Sequence, residues 1–410
     1  MQKELLKNSA VYVAGSMIVQ VLGFIGLVFL MQYLPIPEYG KYIYIIEFIS
    51  IFAFFSDGGF TQNIIKESSQ NPDKIQSIYY KAQSAQFLIS AIMLLLIALF
   101  SYTTNSTTDF YLLIVFGLSV VASSLFAPML AIFIASGRKE LIFYKDLALS
   151  ALKLIFMLLG IYYKAPLEYF IFIGFINCTV LSLLLIFTKL KKEFSYLFEI
   201  KIDLSSSFSF IKQGLLFTVL MAANVIYNKI DIVMLEKMIG STEVGYYSGA
   251  TRFIYPFMFI SGAFMTAIFP SLAKYSQQKD KFNRIQYIAL YYLGGIGIVL
   301  STVLFLGSDL LFNFFFDLKY EQSVPTFKVL VWYLAIVFIY GSISNNLVAL
   351  GKIKFLVALN LIMILVNIVL NFFLIPHYGA LGAAIATIIC ELLILITAGI
   401  YWILKSQERD

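Results

Sequence analysis

Long apolar runs, broken by short polar or Pro/Gly-marked segments, fill this chain from end to end. A helix needs roughly 20 apolar residues to cross a bilayer, and twelve runs meet that length. They lie near 9–34, 41–63, 82–103, 110–136, 142–163, 167–188, 208–239, 244–272, 285–306, 324–350, 353–375 and 378–404. The connections between them are too short to hold a folded domain. Lys3 and Lys7 precede the first run, which has no short apolar core followed by a small-residue cleavage site, so this segment reads as a retained first helix.

Composition sharpens the pattern into a class. Of 410 residues, 60% are hydrophobic and 13% charged, against a charged share of about 25% in soluble proteins. A water-soluble fold of this length cannot cover so much apolar surface, whereas a bilayer accepts it on every side. The expected fold is therefore an all-α polytopic membrane protein with twelve transmembrane helices. With the N-terminus inside, 21 of the 29 Lys and Arg residues fall on cytoplasmic segments and 5 on outer ones. That bias predicts an even number of spans with both termini cytoplasmic. It also accounts for the net charge of +6: the basic residues are spread over every inner loop, not gathered in a patch, so no nucleic-acid partner is expected. Cys178 and Cys390 sit inside apolar runs and His377 is the single histidine. No disulfide framework, metal site or cofactor is indicated.

Two loop patterns recur. Pro37-Glu38-Tyr39-Gly40-Lys41-Tyr42, between the first and second spans, returns as Thr242-Glu243-Val244-Gly245-Tyr246-Tyr247 between the seventh and eighth, an offset of 205. Ala135-Ser136-Gly137-Arg138 matches Ala349-Leu350-Gly351-Lys352 at an offset of 214. Six spans separate each pair, and an even number preserves orientation. The halves are thus expected to be two pseudo-twofold-related six-helix bundles about an axis along the membrane normal, with a substrate path between them. The boundaries are 1–190 for the first bundle, 191–207 for a cytoplasmic linker and 208–410 for the second.

Seven ionisable residues lie well inside the spans, away from their ends: Glu47, Asp57, Lys153, Lys229, Asp231, Arg252 and Glu391. At bilayer depth each is costly enough to be a functional candidate. Lys229, Asp231 and Arg252 fall roughly nine residues below the outer surface, about 12 to 15 Å at the rise of a helix, and Glu47 lies close to that level. Lys229 and Arg252, with Lys153 deeper, would suit a phosphate-bearing substrate, Arg giving bidentate contacts. The structural alternative is internal pairing of Asp231 with Arg252 or Lys229. Glu47, Asp57, Asp231 and Glu391 are the coupling or gate candidates, because burial disfavours the charged form of a carboxyl group. Glu47 is the repeat counterpart of Arg252, so the two are expected to approach across the bundle interface. Asn224, Asn228 and Asp231 form a polar stripe on one span and Asn360, Asn367 and Asn371 on another; amide stripes usually join packed helices. Pro128, Pro256 and Asp57-Gly58-Gly59 mark expected kinks.

The segment Asp231-Ile232-Val233-Met234-Leu235, then Gly240 and Glu243-Val244-Gly245-Tyr246-Tyr247-Ser248-Gly249-Ala250, resembles the corresponding region of the O-antigen flippases of Wzx type and related polysaccharide exporters. Pro376-His377-Tyr378-Gly379-Ala380-Leu381-Gly382-Ala383-Ala384-Ile385-Ala386-Thr387 resembles their other recurrent signature. These belong to the multidrug/oligosaccharidyl-lipid/polysaccharide flippase superfamily. The resemblance implies a bacterial inner-membrane flippase, not an enzyme, that moves undecaprenyl-pyrophosphate-linked oligosaccharide to the outer leaflet by alternating access, coupled to a proton or sodium ion. It implies membrane lipids and other polysaccharide-assembly membrane proteins as partners. A multidrug or cation antiporter of the same superfamily is the alternative, and would need an acidic cavity without the cationic layer.

Overall fold

The computed structural model describes residues 2–57, 60–102, 107–135, 139–176, 211 and 225–407. The described chain is built from helices, and each of the twelve expected spans coincides, over its described part, with helix. They are α1 (Gln2–Tyr33), α2 (Ile36–Asp57), α3 (Phe60–Gln70), α4 (Ile75–Tyr102), α5 (Thr107–Ala135), α6 (Lys139–Tyr162) and α7 (Leu167–Ile176). After them come α8 (225–238), α9 (Ser241–Arg252), α10 (Met258–Lys274), α11 (Lys279–Leu306), α12 (Ser308–Phe316), α13 (Ser323–Leu330), α14 (Trp332–Ala349) and α15 (Ile353–Gln407). The expected linker, 191–207, lies outside the described residues.

Helix breaks fall where the backbone chemistry demands them. In the second run, helix is described up to Asp57 and from Phe60 onward, and Gly58-Gly59, where a kink is expected, lies outside the described residues. The eighth run ends as α-helix at Arg252 and passes through a 3-10 turn at Tyr255–Phe257 before α10 begins. Proline has no amide to bond the carbonyl four residues back, here that of Arg252, and its ring crowds that carbonyl, so Pro256 sets the break. Pro128, by contrast, is accommodated inside α5. The last two spans form one helical stretch interrupted at Gly379, whose φ of 55° and ψ of −131° fit no helix.

The chain packs into two compact units, one of residues 1–34 and 44–229, the other of 35–43 and 230–410. In the first, α4 lies against α5 with α3 alongside, around a core of Ile64, Ile78, Tyr79, Met129, Ile132 and Phe133. Also in this unit, α1 runs along α6, and the Tyr33 hydroxyl donates to the carbonyl of Ala165 at 2.8 Å. In the second, Phe253, Phe312, Phe316 and Phe327 form an aromatic cluster. Ser301 of α11 accepts the amide of Ala335 at 3.2 Å and donates to the carbonyl of Val331 at 2.9 Å, stitching the junction of α13 and α14.

The turn 35–43 packs wholly within the second unit, although α2 continues into the first. Tyr39 is fully buried, edge-on to Tyr320 with ring centroids 6.4 Å apart. The two repeat-related turns meet here backbone to backbone. A Cβ on Gly40 would collide with the Ser241 carbonyl and lie 2.8 Å from the Gly245 nitrogen; a Cβ on Gly245 would lie 2.7 Å from the Ile36 carbonyl oxygen. By the offset of 205, Ile36 is the counterpart of Ser241 and Gly40 of Gly245, so the crossing is symmetric in repeat positions. Neither turn can withdraw easily, since each begins a helix. Gly40→Ala and Gly245→Ala should each cost about 1 to 3 kcal/mol, the usual range for overpacking. Thermal unfolding in detergent measures this, and unchanged midpoints would mean that the turns separate freely.

Candidate functional site

The second unit is organised around one buried carboxylate. Asp231 of α8 is 4% exposed. The Tyr247 hydroxyl of α9 and the Thr387 hydroxyl of α15 each donate to its Oδ2 at 2.8 Å, and the Asn371 amide donates to its Oδ1 at 2.6 Å. Asn371 donates also to Asn367 Oδ1 at 3.0 Å. Because the amide nitrogen faces two acceptors, its orientation is fixed. Asn371 Oδ1 is then a buried acceptor with no donor among the described residues. The Asp231 contacts among the described residues are all neutral, so its ionised form would sit in an apolar interior with hydrogen bonds but no counter-charge among them. Such a charge is expensive without a cation.

Helical periodicity explains why Asp231 does not neutralise Lys229. Residues two apart on a helix point about 200° from one another, so α8 presents acid and base to different surroundings. The Lys229 ammonium forms an ion pair with the Glu47 carboxylate of α2, within the first unit. Their side chains retain 26% and 16% exposure, so the pair is accessible, unlike Asp231. The sequence pattern pairs Glu47 with Arg252; the structure sets Lys229 against Glu47. Arg252 is the last residue of α9, in the second unit, where a cation meets the negative end of the helix dipole. Lys153 is half-buried on α6. Glu391, 4% exposed, lies one turn beyond Thr387 on α15, within electrostatic reach of the Tyr333 and Tyr340 phenols. Asp57 closes α2.

The two signatures carrying the family resemblance meet each other. Glu243 accepts the Ala380 amide at 2.6 Å, capping the helix that restarts after Gly379. A Cβ on Gly379 would strike the Glu243 carboxylate, and one on Gly382 the Leu374 carbonyl. The Asn367–Asn371 stripe reads in sequence as helix packing, yet it serves Asp231. Tyr247 and Thr387 lie within the quoted motifs, but nothing in their spacing announces a shared partner. Of the other stripe, Asn228 is exposed and Asn224 lies outside the described residues.

Comparison with known proteins fits this architecture. The chain matches solved structures of membrane transporters over nearly its full length: a lipid II flippase MurJ in an inward closed conformation, at TM-score 0.77 and 18% identity, covering 95% of this chain and 86% of that one; and a multidrug resistance MATE family transporter of the MOP superfamily in an inward-facing conformation, at 0.72 and 14%, covering 96% and 95%. A MOP superfamily transporter from Pyrococcus furiosus, described as having a binding pocket of reversed polarity, matches at 0.62 and 13%, covering 97% and 95%. The fold is that of these multi-pass transporters, and a twelve-helix, two-bundle architecture for this chain fits it. The family model described as polysaccharide biosynthesis protein matches residues 5–276, and the chain belongs to that family. The MatE model matches 217–373. No curated protein matches the chain in sequence.

Tyr247→Phe and Thr387→Val each remove one donor from Asp231. Each should destabilise by about 1 to 3 kcal/mol, the cost of stripping a buried charged acceptor, and the double mutant should depart from the sum because the donors share Oδ2. Thermal unfolding of the four proteins checks this; strict additivity would mean that the donors act separately.

Proposed function

We propose that this protein is a flippase that carries an undecaprenyl-pyrophosphate-linked oligosaccharide, an O-antigen or other surface polysaccharide unit, from the inner to the outer leaflet of the bacterial cytoplasmic membrane. Both termini face the cytoplasm. The observation that carries the reading is membership of the polysaccharide biosynthesis family over 5–276. The accessible cation Lys229 supports it, because a lipid-linked substrate brings its diphosphate to the membrane interior and leaves a compact ammonium to hold it. Arg252 and Lys153 are proposed as further phosphate contacts. Other polysaccharide-assembly membrane proteins are its expected partners. Transport proceeds by alternating access.

In this reading Asp231 takes the coupling cation. Among the described residues its carboxylate meets no cation and Asn371 Oδ1 no donor, so the two offer oxygens to a sodium ion, or a base and an acceptor to a proton. Glu391, Asp57 and Glu47 are the further coupling or gate candidates. The rival reading, a multidrug or cation antiporter, draws support from the MatE match over 217–373.

Two outcomes are expected in cells lacking the native gene. Lys229→Ala and Arg252→Ala, at protein levels matched to wild type, should each reduce surface glycan at least about tenfold; normal glycan from both would reject the phosphate contacts, and raised drug tolerance without glycan would favour the antiporter. Asp231→Asn should leave the protein folded but indifferent to imposed sodium and proton gradients in proteoliposomes. Whichever gradient drives the wild type names the ion, and a variant that still responds to it would remove Asp231 from coupling.

A further inference from the structure

A cation held at bilayer depth has a selectivity problem. The surrounding membrane is rich in anionic phospholipids, and an unguarded ammonium would take any of their phosphates. Lys229 is not unguarded, because Glu47 sits against it. The pair joins residues 182 positions apart, on α2 and α8 of the first unit, and both side chains remain partly exposed. It is therefore positioned to be exchanged, not locked away: an accessible ion pair contributes little net stability and opens at small cost.

We propose that Glu47 acts as a competing internal anion that sets the charge a headgroup needs to reach Lys229, so that a diphosphate gains the site and a phosphodiester lipid does not. The inference rests on the proposed contact between Lys229 and the substrate diphosphate. Coulomb attraction to one ammonium scales with the charge of its partner. A phosphodiester carries one negative charge, as Glu47 does, and gains nothing by exchange. Glu47 is moreover tethered, which gives it an effective concentration that a freely diffusing headgroup must overcome. A diphosphate ester brings more than one negative charge and several unshared oxygens, so it outbids the carboxylate. Discrimination then comes from a built-in repulsive element: the displaced Glu47 stays nearby and disfavours any ligand whose added charge does not compensate.

The test uses the full chain in nanodiscs, with geranylgeranyl diphosphate as probe in neutral phosphatidylcholine and in a mixture with phosphatidylglycerol. Wild type, Glu47→Gln, Glu47→Asp and Lys229→Ala are titrated in each. Surface potential acts on every variant alike, so the comparison isolates the site. Beyond the shift shared by all variants, wild type and Glu47→Asp should hold their diphosphate affinity when phosphatidylglycerol is added. Glu47→Gln should lose about fivefold, the factor that an accessible ion pair is worth, because the phosphodiester now competes. Lys229→Ala should bind weakly in both membranes. Equal sensitivity of Glu47→Gln and wild type to phosphatidylglycerol, with Lys229→Ala still defective, overturns the filter and leaves the substrate contact standing. Full affinity of Lys229→Ala in phosphatidylcholine removes the contact itself. Were Glu47→Gln not to fold, a fivefold loss by the wild type in phosphatidylglycerol, beyond that of Lys229→Ala, would overturn the proposal by itself.

Discussion

In hydrocarbon there is no water to satisfy a peptide group, and this constraint governs every interruption of the helices. A break exposes amides and carbonyls that must find partners within the protein. Each break seen here carries its own solution. At Gly379 the restarted helix offers its Ala380 amide to the Glu243 carboxylate, an anion at a helix N-terminus where the dipole also favours it. At the junction of α13 and α14 a single serine, Ser301, accepts one amide and donates to one carbonyl. Near Pro256 the chain tightens to a 3-10 turn, and the missing proline amide leaves one donor fewer to satisfy.

The same economy explains the placement of charge. α8 carries Lys229 and Asp231 two residues apart, and helical geometry sends them to different environments. Asp231 is buried among hydroxyl and amide donors from α9 and α15, which hold it as an acceptor but bring no counter-charge from among the described residues. Lys229 stays partly exposed beside Glu47. One helix thus presents two electrostatic environments: an interior carboxylate held by neutral donors and a partly exposed ion pair. In the proposed function this separation keeps the phosphate contact at Lys229 from being neutralised by Asp231 next to it in sequence.

The contact between repeat-related turns gives the internal repeat a physical meaning. Two copies of a Glu-x-Gly turn, 205 residues apart, are pressed together so closely that each glycine faces the other copy's carbonyl. A sequence repeat that folds into a symmetric crossing constrains both copies at once, because a side chain on either glycine is excluded by the backbone of the other. Tyr39, buried against Tyr320, anchors the turn sideways.

Much of this protein is legible in its sequence because the bilayer writes a strong, local signal. Twelve long apolar runs, the lysine and arginine bias, the Gly and Pro breaks and the paired Glu-x-Gly turns each depend on residues close together in the chain, and the helices follow them. The intramembrane charges are equally visible, since any ionisable residue at that depth is conspicuous. Sequence also shows that Asn367 and Asn371 share a helix face. It does not show that the face meets Asp231 and not merely a neighbouring helix, nor that Tyr247 and Thr387 share its Oδ2, nor that Lys229 takes Glu47. Those pairings join residues up to 182 positions apart, and the rotation and depth of each helix that decide them are set by packing among helices. Apolar run length fixes where a helix crosses the membrane; only the tertiary structure decides which way its polar atoms turn.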